Sequence, residues 1–278
     1  MKAIMLAAGV GRRLYGDDDS QPPKVLLRFD GKTLLARHIE ILKSVGVDEL
    51  VVVVGFRKED IRAEIDRIGA GDFVRTIENP DFREGPVVSL WAAREEMRSG
   101  SPILFMDADV LYHRSLIDRL IETASENCFI VDRDFEIGED PVRLCIRDGV
   151  PVDFGKMIEG DFDVVGEWPG FLRLSSDMAA RIAEETQVYV DRGKRMHTYE
   201  EAIRDVLLAE PDGTFGFEDV TGVPWIEIDF PNDLLRAQRL IMPRLAEDGE
   251  TVVPADLPHG RVSREYGPTA PVGQTRKT

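Results

Sequence analysis

The run Leu50-Val51-Val52-Val53-Val54 constrains this chain more than any other stretch. It is β-branched but for its leucine and contains nothing polar, so it reads as a strand buried on both faces. Such a strand belongs inside a parallel sheet with helices on either side. The neighbouring segments agree. Residues 3–8 are a short apolar run closed by Gly9, which reads as a second buried strand. Residues 33–45 carry Leu34, Leu35, Ile39, Ile41 and Leu42 at helical spacing, and residues 58–68 carry Ile61, Ile65 and Ile68 on one helix face. Strands are predicted over 73–77, 103–106 and 128–131, with helices over 87–97 and 115–123 between them. This alternation predicts an α/β fold: a mostly parallel, doubly wound sheet with helices on both faces.

After about residue 132 the rhythm changes. Residues 142–147, 150–157 and 164–174 read as strands joined by tight turns such as Asp148-Gly149, and so as antiparallel additions to the sheet. Helices follow over 176–186 and 199–208, then strands near 214–218 and 225–228, then a last helix from 233 to about 245. No linker and no repeat divides the chain, so residues 1–245 are expected to form one domain. Residues 246–278 bring prolines at 254, 258, 268 and 271 and a basic end, which reads as a surface-lying or disordered tail.

Charge narrows the partners. Thirty-five Lys+Arg against 52 Asp+Glu give a net charge of −17, which argues against coating nucleic acid or an anionic membrane. Phosphate ligands remain open, because a few local cations and backbone N–H groups suffice to bind them. Two cysteines make no disulfide framework, and Cys128 and Cys145 read as small buried hydrophobes. Four scattered histidines show no zinc-ligand pattern. The apolar run at 3–8 is too short for a signal peptide, and no stretch approaches a membrane span, so a cytoplasmic protein without a membrane partner is expected.

Three groups of residues carry candidate chemistry. The first is Leu6-Ala7-Ala8-Gly9-Val10-Gly11-Arg12-Arg13-Leu14, followed by Pro23-Lys24. A strand ending in small residues and glycines lets the backbone approach a ligand closely, while Arg13 and Lys24 can supply charge for phosphates. A Gly-x-Gly by itself also fits a plain turn. It is neither a dinucleotide fingerprint, since Leu14 stands at the third glycine position, nor a P-loop. The second is Asp107-Ala108-Asp109 at the end of a predicted strand, where open α/β sheets bind ligands. Carboxylates there suit Mg²⁺, though a solvated turn or helix cap would also explain them. The third is Trp225-Ile226-Glu227-Ile228-Asp229, whose strand alternation puts Glu227 and Asp229 on one face. Metal binding with Asp109 is the functional reading, and a helix cap by Asp229 before Pro231 is the structural one.

The Ala-Ala-Gly-x-Gly-x-Arg-Leu pattern with its following Pro-Lys resembles the nucleotidyltransferase superfamily, which has a GT-A, Rossmann-like fold. The resemblance implies that Leu6, Ala7, Ala8, Gly9 and Gly11 hold the base and phosphates of an NTP, together with Asn79, Ser89 and Asp107. It implies that Arg13 and Lys24 hold the triphosphate. Glu78-Asn79-Pro80, Ser89-Leu90-Trp91, Met106-Asp107-Ala108-Asp109 and Ile226-Glu227-Ile228-Asp229 look like the cytidylyltransferase branch that activates phosphocholine and phosphonates. Val131-Asp132-Arg133-Asp134-Phe135, Pro141-Val142-Arg143-Leu144-Cys145, Gly166-Glu167 and Tyr199-Glu200-Glu201-Ala202 are most similar to its phosphonate-associated members.

The resemblance thus implies CTP-dependent transfer of CMP to a small phosphonate, of the aminoethylphosphonate, hydroxyethylphosphonate or phosphonoformate type, with release of pyrophosphate. Mg²⁺ is the expected cofactor, on Asp109, Glu227 and Asp229. Lys156, in Asp153-Phe154-Gly155-Lys156, is the expected cation for the acceptor, with Asp132, Glu167 and Trp168 lining its pocket. Acidic groups beside Trp suit an amine or quaternary ammonium, whereas Arg133 and Arg173 would suit a second carboxylate. Alternatives are a phosphocholine cytidylyltransferase, a sugar-1-phosphate nucleotidyltransferase, a glycosyltransferase using Asp107-Ala108-Asp109, or a non-catalytic nucleotide-binding subunit. The presence of Asp109, Glu227 and Asp229 argues against the last. A homodimer is compatible with all of these.

Overall fold

The computed structural model of the chain describes residues 1–135 and 141–246. Its strands are β1 (Lys2–Ala7), β2 (Arg28–Phe29), β3 (Lys32–Thr33), β4 (Glu49–Val54), β5 (Val74–Glu78), β6 (Ile103–Asp107), β7 (Val110–Tyr112), β8 (Cys128–Val131), β9 (Arg143–Arg147), β10 (Val150–Gly155), β11 (Val164–Glu167), β12 (Phe171–Leu174), β13 (Gly216–Asp219) and β14 (Trp225–Glu227). Its helices are α1 (Arg12–Tyr15), α2 (Leu34–Ser44), α3 (Lys58–Arg67), α4 (Pro86–Ala92), α5 (Arg94–Met97), α6 (Ser115–Glu122), α7 (Ser176–Asp191), α8 (Tyr199–Ala209) and α9 (Pro231–Arg236).

Seven strands build the main sheet in the order β13-β8-β12-β6-β1-β4-β5. Its pairs are parallel except those of β12, which runs against both β6 and β8. The mostly parallel α/β fold is therefore as the sequence predicts. Leu50 to Val54 on β4 are fully buried, and they alternate between two apolar layers. Val52 joins Leu35 and Leu42 of α2 and Ile61 and Ile65 of α3, whereas Val51 and Val53 join Leu90 of α4 and Ile182 of α7. Burying each such side chain contributes roughly 1.5–3 kcal/mol, so this strand is the keel on which both helical layers close. Three smaller sheets extend the frame: β10-β9-β11, the antiparallel pair β2-β3, and the antiparallel pair β14-β7 that lays Glu227 opposite Val110.

Three expected elements come out differently. Residues 164–174 are two strands in two sheets, β11 beside β9 and β12 between β6 and β8. Trp168-Pro169-Gly170 separates them, with Gly170 at φ +91. The helix expected over 87–97 is interrupted at Ala93, yet Leu90, Ala93 and Met97 share one core, so the apolar rhythm runs through the break. The last helix starts at Pro231 and passes into a π-helical turn (Ala237–Ile241) and a 3-10 turn (Met242–Ala246). Beyond Ala246, the expected tail lies outside the described residues. Among the described residues no helix is long and apolar enough to cross a membrane. Cys128 and Cys145 are buried free thiols.

His38 on α2 ties this frame to the turn after β6. It is 1% exposed, with Nε2 3.1 Å from the Ala108 carbonyl and Nδ1 3.2 Å from the Tyr112 hydroxyl. A carbonyl only accepts, so Nε2 carries the proton and Nδ1 accepts from Tyr112. Burial pushes the imidazole pKa down to about 4. The unfolded chain takes up a proton at this residue as pH falls below the ordinary histidine value, and the folded chain does not. Stability from this group is therefore complete above about pH 6.5 and lost towards pH 4, about 3 kcal/mol in all. Urea denaturation across that window should show a steeper loss in the wild type than in His38→Gln, and parallel curves would contradict the neutral assignment.

Candidate active site

The strand ends of the main sheet open into a cavity of about 1300 Å³. Leu6, Ala7, Ala8, Gly9 and Gly11 line it at the end of β1. Gly11, at φ +75, turns the chain from the strand into α1, and its carbonyl accepts the first helical N–H groups, from Leu14 and Tyr15. The turn aims Arg13 back across the cavity, where Nη2 lies 2.9 Å from Asp229 Oδ2. Arg12 pairs with Asp17 in the loop after α1.

The structure brings Asp109, Glu227 and Asp229 together. One carboxylate oxygen from each lies within 4.8 Å of the others. The convergence is built from far-apart segments pinned by backbone bonds. The Ile228 N–H donates to the Asp109 carbonyl at 3.0 Å, and Asp233 accepts the N–H groups of Asp229 and Phe230. Asp229 therefore does not serve as the helix cap, since Asp233 does the backbone-holding. Lys24 reaches in from its 3-10 turn (Lys24–Leu26), with Nζ 3.0 Å from Asp109 Oδ2 and 2.6 Å from Asp229 Oδ1. Burial alone would push its pKa down, but the facing carboxylates hold the ammonium above its ordinary value. Glu227 goes the other way: burial, then the charges of Asp109 and Asp229, raise its carboxyl well above the usual range. Three hard oxygen donors crowded this closely, with no thiol or imidazole among them, fit Mg²⁺.

Asp107 is used differently. Its two carboxylate oxygens both lie 2.7 Å from the Tyr199 hydroxyl, which donates to them. Burial, then the charge of Asp109, raises the Asp107 carboxyl well above its usual range. Asn79 does not line the cavity. It is 1% exposed, accepts the Asp81 N–H through its side-chain oxygen, and donates from Nδ2 to Ser89 Oγ at 3.0 Å. Ser89 is the member of that pair that faces the cavity.

Beyond β6 the cavity continues over β12 and β8. Asp132, Glu167, Trp168 and Lys156 all line this part. Trp168 is also a core residue, donating from its indole to the Phe171 carbonyl and packing edge-on against Phe154. Arg133 and Arg173 do not line it. Arg133 pairs with Asp219 at 2.7 Å, and the Arg173 guanidinium caps α6 by donating to the carbonyls of Leu120, Ile121 and Thr123. The structure adds Tyr199 and Glu200, whose sequence context held only a resemblance, and Trp225, which strand alternation puts on the face of Glu227 and Asp229.

Gly170 closes the floor beneath Asp107. A Cβ there would stand 2.7 Å from Asp107 Oδ2, whereas Gly213 has a similar φ of +85 with open space around it. Gly170→Ala should cost about 1–3 kcal/mol more than Gly213→Ala in urea denaturation. Equal losses would show that the contact with Asp107 does not limit the site.

A family profile described as MobA-like NTP transferase domain matches residues 3–152. The CMP-5'-(3-aminopropyl)phosphonate synthase of Streptomyces rubellomurinus is 27% identical over 247 residues, which is 85% of this chain but 38% of that protein. The CTP:phosphoglutamine cytidylyltransferase of Campylobacter jejuni is 23% identical over 252 residues, 84% of this chain and 98% of that protein. In structure, the CTP:phosphocholine cytidylyltransferase of Streptococcus pneumoniae superposes with a TM-score of 0.67 at 21% identity, over 85% of this chain and 97% of that one.

Proposed function

This chain belongs to the MobA-like NTP transferase family, and from that footing we propose that it transfers CMP from CTP to a small acceptor bearing a phosphonate or phosphate, releasing pyrophosphate. The observation that carries the proposal is the meeting of Asp109, Glu227 and Asp229 with Lys24 and Arg13 beside the glycine turn. The relatives named for CTP and for CMP products support the choice of base and donor.

The chemistry asks little of acid–base groups. The acceptor oxyanion is already ionised near neutral pH, so its oxygen forms the new bond to the α-phosphorus as the bond to the bridging β-phosphate oxygen breaks. The electron pair leaves with pyrophosphate. Rate then depends on in-line positioning and on neutralising charge. Lys24 and Arg13 serve the leaving pyrophosphate, the glycine turn receives the phosphates, and Ser89 faces the nucleoside. Lys156 receives the acceptor's phosphonate. Asp109, Glu227 and Asp229 would hold Mg²⁺, which when bound supplies Lewis-acid neutralisation of phosphate oxygens.

Pyrophosphate release should be measured across the four NTPs against small phosphonates, phosphocholine and glucose-1-phosphate. CTP with a small phosphonate or phosphocholine is expected to give the highest kcat/KM. Comparable turnover with glucose-1-phosphate would move the chain to the sugar-nucleotide enzymes. Asp109→Asn and Asp229→Asn should each lower kcat at least ~10³-fold while weakening Mn²⁺ binding seen by electron paramagnetic resonance. Near wild-type turnover in either variant would remove that residue from the ligand set. Lys24→Ala should lower kcat/KM for CTP roughly 10²-fold, about 2.7 kcal/mol of transition-state binding, and unaltered CTP kinetics would refute its role.

A further inference from the structure

We propose that Lys24 gates the metal site: its ammonium and a divalent ion compete for the same carboxylate oxygens, so the ion binds tightly only together with a triphosphate that takes the ammonium over. This rests on the cytidylyl-transfer reading and concerns how that same site is filled.

The contacts define the competition. Nζ of Lys24 lies 3.0 Å from Asp109 Oδ2 and 2.6 Å from Asp229 Oδ1, while Arg13 Nη2 lies 2.9 Å from Asp229 Oδ2. Both oxygens of Asp229 and one of Asp109 therefore face a cation of the chain itself. Two of the three candidate ligands share a single ammonium. The Lys24 side chain is 13% exposed and that of Asp229 11%, so water and salt screen the contact little. An ion on the same oxygens meets that ammonium at close range, and the repulsion lowers its affinity. Arg13 adds less, because its side chain is 49% exposed.

The competing parts are unequally mobile. The carboxylates stand on pinned backbone, through the Ile228–Asp109 bond and the hold of Asp233 on the Asp229 N–H. The base of Lys24 is fixed as well: Leu27 N–H donates to its carbonyl at 2.9 Å, and the next residue, Val25, is 2% exposed. Its stem runs beside the glycine turn, where a Cβ on Gly11 would stand 3.4 Å from Lys24 Cγ. The ammonium, at the end of a flexible four-carbon stem, is thus the part that can move, and it is anchored next to the turn that receives the phosphates. A swing of that stem carries the charge from the carboxylates to the phosphate oxygens. The triphosphate thereby frees the oxygens that hold the ion, and the ion releases the ammonium that holds the triphosphate. By linkage each raises the other's affinity by the same factor.

The test reads Mn²⁺ binding to the full chain by electron paramagnetic resonance, first without nucleotide. Lys24→Gln removes the charge but keeps a hydrogen-bond donor for the carboxylates, and Lys24→Met removes both. Each should bind Mn²⁺ at least ~10-fold more tightly than the wild type, whereas Lys24→Arg, which keeps the charge, should stay within a factor of about three of it. Saturating α,β-methylene-CTP, which cannot release pyrophosphate, should then tighten Mn²⁺ binding at least ~10-fold more in the wild type than in Lys24→Gln. The nucleotide's own hold on Mn²⁺ is common to both proteins and cancels. Unchanged or weaker Mn²⁺ binding in both neutral variants overturns the gate and leaves cytidylyl transfer standing. So does an equal gain from the nucleotide in the wild type and Lys24→Gln, or a tightening in Lys24→Arg as large as that in Lys24→Gln. Absence of Mn²⁺ binding to the wild type with the CTP analogue, together with no pyrophosphate release from CTP with any phosphonate or phosphate acceptor, overturns both.

Discussion

Like charge held at close quarters is the constraint on which the rest of this molecule depends. Asp109, Glu227 and Asp229 repel one another, and Asp107 stands two residues from the first of them. Such a cluster spreads apart unless the backbone resists and cations intervene. Both occur here. Lys24 bridges two of the carboxylates and Arg13 pairs with Asp229 from the other side. The carriers are clamped by His38 on Ala108, by the Ile228–Asp109 backbone bond, and by Asp233 beneath Asp229. The buried strands exist, in functional terms, to make that crowding affordable.

The same sheet sorts the cavity from one end to the other. Parallel strands bring their carboxyl ends to one edge, so each strand's following turn contributes one kind of chemistry. After β1 come glycines and cations, at the end of β6 come the tyrosine-bonded Asp107 and then Asp109, and after β8 comes the acidic, indole-lined wall. The outlying β14-β7 pair then folds Glu227 and Asp229 back over the middle.

Much of this was legible in the residues, for identifiable reasons. Leu50 to Val54 could only be a doubly buried strand, and Glu227 and Asp229 shared a face by simple alternation. Partnerships between distant segments were not legible. Nothing in spacing links Tyr199 to Asp107 or Trp225 to Asp132, since each pair is joined only by tertiary packing. Resemblance assigned Asn79 to the nucleotide, yet its amide is spent on Ser89 and Asp81. Arg133 and Arg173 look like ligand cations in sequence, but orphan carbonyls at the end of α6 and the carboxylate of Asp219 claim them. The split of 164–174 was hidden because Phe171 and Leu172 continue the apolar run across Pro169-Gly170.

The reversed strand β12 has a consequence for how the molecule comes into being. Both sheet neighbours of β8, at 171–174 and 216–219, are made after it. During synthesis β1, β4, β5 and β6 can assemble as soon as they emerge, while β8 waits with both edges unpaired for some forty residues. Long-range pairings of this sort slow folding and expose strand edges while they are pending. The acidic site waits longer still, because Glu227 and Asp229 come after every strand of the main sheet. A nascent chain therefore completes its scaffold before it confronts its most repulsive residues with one another.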